Sequence, residues 1–411
     1  MSISILGSKS KNNLFLGLFI IITIIFLIAM GPYLKLHFIV TNGMIPALFA
    51  LAFFIDLKSI NKNNTEFIWL ALIFIGGLFS VFYLKKTEIF VSNLNSFFGA
   101  VLSAYIALAL NKSKNYSNYF HVGFILSIFL LVAIMYKNGN FSFTNFANIV
   151  DFRDRFMLNA NAYSYFSFFG NFSLFLLHHK YKSKFTAILL LALPLLFLII
   201  SFVTLSRSGL LFIILINLIY WTFINVPEKN NKAKKLLRKL VVILLIVVLG
   251  IKFLDIYQGS RIQNRVQGSV QSSEDPRGLL IVNSLKVFVE HPIFGVGLGQ
   301  VRVYNGHGQF SHNSYVEILA EQGIVGGFML FMLFGIPLKK SWYLFRKRRE
   351  DPLAKIFLMF FVTFYMYNNF YVFYKFPFAM MYFFLIISLM NKLYTKTKAA
   401  EPQRKNHLVA E

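Results

Sequence analysis

An all-α, polytopic membrane fold is what this sequence predicts, on three observations. Of its 411 residues, 57% are hydrophobic and only 14% are charged, at a mean hydropathy of +0.63, which is more apolar side chain than one soluble core uses. The apolar residues come in runs long enough to cross about 30 Å of hydrocarbon at about 1.5 Å per residue. The 41 Lys and Arg, against 16 Asp and Glu, gather in the short stretches between those runs. The net charge of +25 would suggest a nucleic-acid partner in a soluble protein, but basic residues in that position set topology and meet anionic headgroups, which speaks against one here. With no Cys, disulfides, thiol nucleophiles and thiolate metal sites are excluded.

In chain order, the first run, 14 to 30, follows Lys9 and Lys11 and lacks a small-residue cleavage site, so it reads as a retained anchor. Runs at 36 to 55, 66 to 84, 92 to 110, 119 to 136 and 162 to 178 follow. Residues 185 to 227 carry a single charge, Arg207, and at helical rise exceed one bilayer about twofold. They predict two helices, 185 to 204 and 208 to 226, with a tight turn at Arg207. Four more follow at 238 to 255, 316 to 338, 355 to 374 and 376 to 391, the last two split near Lys375. About 12 transmembrane helices put both ends on one side. The chain thus divides into spans one to nine over 1–255, a large loop over 256–315, spans ten to twelve over 316–392 and a tail over 393–411.

Orientation follows from the basic residues. The side holding both termini carries 27 Lys and Arg and the opposite side 14, which puts the termini in the cytoplasm and the loops 137 to 161 and 256 to 315 outside. Arg makes up 5 of the 27 inside but 7 of the 14 outside: Arg153, Arg155, Arg207, Arg261, Arg265, Arg277 and Arg302. Lys suffices as a topology signal, whereas the planar fork of Arg grips phosphate or carboxylate bidentately. The outer face therefore reads as built to hold an anion, with chance and codon bias as the bland alternative.

The chemistry-bearing residues cluster late in the chain. Arg207, in Thr204-Leu-Ser-Arg-Ser-Gly209, is either a snorkelling interface anchor or a functional cation facing a polar cavity. Pro276 opens a short helix with apolar positions at 279, 280, 285, 287, 288 and 289. Gly295, Gly297 and Gly299 have no strand-turn-helix unit around them, which favours a chain reversal over a phosphate cradle. Ser314-Tyr-Val-Glu317 fits a capping box, and Gly323, Gly326 and Gly327 fit close helix packing. His312 is explained by neither capping nor packing. A neutral imidazole takes a proton from a hydroxyl nucleophile at neutral pH, although a lone loop histidine is more often a plain polar residue. For a metal, His307 and His312 are five apart and Asp151 and Asp154 flank Arg153, a weak pattern that predicts no metal site.

Ser311-His-Asn-Ser314, followed by Glu321-x-Gly323-x-x-Gly326 and preceded by Arg277, by His291-Pro-Ile-Phe-Gly-Val-Gly-Leu-Gly299 and by the Arg207 element, resembles the O-antigen ligase and O-antigen polymerase superfamily. Leu158-Asn-Ala-Asn161 is a looser match to an Asn-Pro-Asn element, with Ala160 in place of the proline. The resemblance implies a GT-C-like glycosyltransferase of the bacterial inner membrane with a large periplasmic loop between helices 9 and 10. Such an enzyme moves a glycan from undecaprenyl diphosphate to an acceptor hydroxyl on the periplasmic side, by inversion and without a metal or other cofactor. Carried onto this chain, His312 is the general base, and Arg207 and Arg277 hold the diphosphate. The acceptor is lipid A-core for a ligase, or another lipid-linked glycan for a polymerase. One dominant outer loop beside a short one at 137 to 161 favours the ligase. A flippase or exporter of the same lipid-linked oligosaccharide is a rival, but it predicts mid-span charges and a repeated half, and the sequence has neither.

Overall fold

The computed structural model describes residues 4–55, 64–113, 116–141, 156–225 and 276–400, all helices and loops with no strand among the described residues. The span expected at 238 to 255, the first part of the loop after it, and Asp151, Arg153, Asp154 and Arg155 lie outside them. The helices are α1 (Ser4–Ile25), α2 (His37–Ile55), α3 (Thr65–Phe82), α4 (Thr87–Ser113), α5 (Ser117–Lys137), α6 (Ala160–Tyr181), α7 (Lys184–Val203) and α8 (Arg207–Ile224). They continue as α9 (Pro276–Glu290), α10 (Val301–Tyr304), α11 (Ser314–Lys347), α12 (Pro352–Tyr367) and α13 (Pro377–Ala399). Among the described residues nine helices are long and apolar enough to cross a membrane, and α12 is a shorter apolar helix of 16 residues.

Helix α6 falls where a span is expected, yet it is not among those nine. Ser164, Ser167, Asn171 and Ser173 dilute its apolarity, and every side chain from Ala160 to Leu177 is buried. A helix sheathed in protein needs no lipid-facing surface, so hydropathy understates it.

The chain forms two compact units, Met1–Ser127 with Arg277–Glu411, and Ile128–Pro276. In the second, α6, α7 and α8 pack on one another. The turn at Arg207 is as expected: α7 ends at Val203, Leu205 adopts φ 53°, and the Ser206 side chain caps α8 by accepting from Gly209 N at 3.3 Å. Gly209 is required there, because a Cβ would lie 2.4 Å from Ser164.

In the first unit α13 packs along α4, and α11 packs on α3, α12 and α13. Helix α3 is tied to α11 at its start and middle, and to the loop ahead of α10 near its end. Glu66, at its start, meets Lys340 Nζ at 2.7 Å, and Gln322 Nε2 donates to Ile73 O at 3.0 Å. Near its end, Ser80 Oγ accepts from Leu298 N at 3.1 Å. The 34 residues of α11 would measure about 50 Å as one rod, longer than a bilayer core is thick. It is not one rod, because Gly323 breaks it at φ 63° and ψ −159°.

Two sequence expectations are corrected on α11. The N-cap is Asn313, whose side chain accepts from Tyr315 N and Val316 N, so Ser314 and Glu317 form no capping box. Ser314 Oγ lies instead 2.6 Å from Asn368 Oδ1, and Glu317 reaches the Ser311 amide. Gly323 makes room for a loop rather than a helix, since a Cβ on it would lie 2.1 Å from Ile293 O.

Candidate active site

The break in α11 seats the glycine loop that leads to the site. Gly295, Gly297 and Gly299 all have positive φ, 66°, 99° and 75°, and a Cβ on Gly295 would lie 2.3 Å from the Glu321 carbonyl carbon. The loop amides are spent on protein: Val296 N donates to Ala320 O (3.0 Å), Gly297 N to Glu321 O (2.8 Å) and Gly299 N to Glu321 Oε1 (2.7 Å). In return Ile324 N donates to Pro292 O at 2.8 Å. The loop is the chain reversal the sequence favours. Its irregular backbone is satisfied inside protein, the condition for such a segment beside a membrane helix.

Beneath the loop lies a buried ionic cluster. Lys375, 4% exposed, donates to Glu321 Oε1 and sits 3.5 Å from Glu317 Oε1. Tyr374 OH donates to the other oxygen of Glu321 at 3.1 Å, and Ser311 N donates to Glu317 Oε2 at 2.7 Å. Each carboxylate thus holds one backbone amide of the site: Glu321 fixes the glycine loop, and Glu317 fixes the residue before His312. Lys375 is therefore an internal cation as well as a marker of the break between α12 and α13.

His312 stands at φ 56°, a left-handed conformation unusual for a side-chain-bearing residue. Its neighbours hold it there. Ser311 is pinned by Glu317, Asn313 caps α11, and Ser314 N donates to Asn368 O at 2.9 Å. The half-buried imidazole lies against Phe310, ring centroids 4.1 Å apart, and its Nδ1 is buried with no hydrogen-bond partner among the described residues. Burial first, then the Arg277 charge, pushes its pKa down to about 4; Glu317 opposes this and Arg302 adds to it. The ring is consequently neutral at pH 7.

Arg277 occupies the first turn of α9 in the same unit, half-buried, and its charge reaches His312. Arg207 is the first residue of α8 in the second unit and is exposed. His307, the other histidine of the loop, meets Asn283 Nδ2 at 2.9 Å. The first unit therefore brings His312 and Arg277 into one electrostatic neighbourhood and adds Arg302, whose guanidinium carbon lies 5.1 Å from the Phe310 ring. In the sequence Arg302 is one of the outer arginines, with no motif that marks it. Its ten-residue distance from His312 was the available signal, since a short helix and turn of that length bring the chain back on itself.

Residues 187–331 match the family model described as O-Antigen ligase. No curated protein matches the chain. The matched stretch, about a third of this multi-pass membrane protein, contains Arg207, Arg277, Arg302 and His312, and over those residues the chain is similar to the O-antigen ligases that its motifs resemble.

Proposed function

We propose that this protein is a metal-independent, inverting glycosyltransferase that moves a glycan from undecaprenyl diphosphate to an acceptor hydroxyl on the periplasmic side of the inner membrane. The acceptor we assign is lipid A-core, which makes it an O-antigen ligase; joining of lipid-linked repeat units by a polymerase is the second reading. The observation that carries the proposal is a neutral, half-buried imidazole set among arginine charges in a chain otherwise sparing of them.

Sugar C1 bonded to a diphosphate already has a good leaving group. The barrier lies in charge building on that group and in the weak nucleophilicity of a hydroxyl. His312 takes the hydroxyl proton as the acceptor oxygen bonds C1 from the face opposite the leaving group. The C1–O bond breaks with its electron pair going to the diphosphate, which Arg207 and Arg277 hold in the roles the motif resemblance implies. No leaving alkoxide needs a proton, so the paired carboxylates of glycosidases are unnecessary. Support for a polyprenyl donor comes from an apolar groove that starts three residues after His312. Tyr315, Leu319, Ile324, Phe328, Phe331 and Tyr365 line it.

Deleting the gene tests the assignment on a lipopolysaccharide gel. The ligase reading expects bare core together with intact lipid-linked polymer, and core carrying one repeat unit identifies a polymerase. An unchanged ladder overturns both.

The pKa of His312 gives a second expected result. Its folded value is depressed, so in the free enzyme the imidazole stays unprotonated at every pH above about 4, while its low basicity makes it a weaker proton acceptor there than an ordinary histidine. A bound diphosphate cancels the Arg277 and Arg302 charges and lets the value rise. Because kcat/KM reports the free enzyme and kcat the complex, the acid limb of kcat falls off at higher pH than that of kcat/KM. Superimposable limbs in paired pH profiles rule this coupling out.

A further inference from the structure

We propose that Arg302 is a further diphosphate-binding residue of this site, its buried Nε–H directed at an anionic oxygen of the lipid-linked donor beside His312. The inference rests on the reading above of the site as one that handles a diphosphate, and it adds a residue that the motif resemblance does not assign.

Arg302 is placed firmly. It follows Gln300, whose side chain accepts from Lys85 N (3.0 Å) and Lys86 N (2.9 Å) and donates to Lys86 O (3.0 Å). Val301 beside it is fully buried. From α10 the guanidinium lies over the Phe310 ring at 5.1 Å, and the same ring contacts the His312 imidazole at 4.1 Å between centroids. Phe310 is thus a shared wall between cation and base, backed by Tyr371 at 5.7 Å.

The hydrogen-bond inventory around that wall is incomplete. Arg302 Nε is buried without a partner among the described residues, and so is His312 Nδ1. A guanidinium does not shed its proton at any physiological pH, so its Nε is permanently a donor. Leaving a buried charged donor unmade is costly, and such a group in a native fold calls for an occupant. A packing role over Phe310 uses the π face and leaves the in-plane Nε–H unused. An anionic oxygen supplies what is missing, and Arg presents its donors in a geometry suited to phosphate.

The test uses full-length protein in nanodiscs, with farnesyl diphosphate as the binding probe and lipid-linked donor plus acceptor for turnover. Arg302→Lys keeps the charge and stem but removes the Nε donor. It is expected to weaken farnesyl diphosphate binding and raise donor KM by about 10- to 100-fold, the range for a charge-assisted hydrogen bond, with acceptor KM unchanged. Arg302→Met, which keeps bulk against Phe310, should lose at least as much. Wild-type binding and donor KM in both variants overturn the proposal and leave Arg302 a packing residue. An effect seen only in discs containing phosphatidylglycerol also overturns it, by assigning Arg302 to a lipid headgroup. His312→Ala in the same assays separates this inference from the function it rests on. Retained probe binding with lost turnover is expected; wild-type turnover sinks the glycosyltransferase reading whatever Arg302 does.

Discussion

Replacing His312 with alanine lowers kcat by about 10²- to 10⁴-fold, the contribution of a positioned general base, in purified protein supplied with lipid-linked donor and acceptor. Donor binding should persist, because in the proposed mechanism arginine charges rather than the imidazole meet the diphosphate. Alanine alone leaves an ambiguity, since His312 sits at φ 56° and any ordinary side chain there is strained. Asparagine resolves it. Asn tolerates the left-handed region better than most residues and cannot act as a base at neutral pH. His312→Asn should therefore match His312→Ala in lost turnover while melting closer to wild type. Wild-type turnover in His312→Asn would show that the position needs a backbone conformation and not a proton acceptor.

The same residue shows how far the sequence carries and where it stops. The break at Arg207 was legible because a lone charge in a 43-residue apolar run has few places to go, and α7 and α8 part there. The reversal at Gly295 to Gly299 was legible because no surrounding strand called for a phosphate loop. Gly323 was misread, since glycines at a spacing of three or four serve equally for helix packing and for a break, and only tertiary contact with Ile293 decides. The capping box failed for a similar reason: Asn313 and Ser314 are both good caps, and Asn368, 54 residues away, engages the serine. Arg302 went unassigned because a tally of arginines gives no side-chain direction. The ionic cluster was invisible because Glu321 and Lys375 are likewise 54 residues apart.

That cluster carries the other large expected effect. Lys375→Met removes one cation from between two fully buried carboxylates, and breaking a buried pair from one side costs about 3–5 kcal/mol because the remaining charge stays desolvated. A large drop in melting temperature in detergent is expected. Returning the cluster to its original net charge should recover part of it, so Lys375→Met with Glu321→Gln melts above Lys375→Met alone, whereas independent sites would give additive losses. Activity should not recover in parallel. Glutamine at 321 still offers an oxygen to Gly299 N, but nothing in the double variant replaces the Lys375 contact with Glu317, which holds the Ser311 amide and through it the backbone of His312. Stability regained without turnover identifies the cluster as the support of the base; an unshifted melting point in Lys375→Met would mean that the two carboxylates do not depend on this cation.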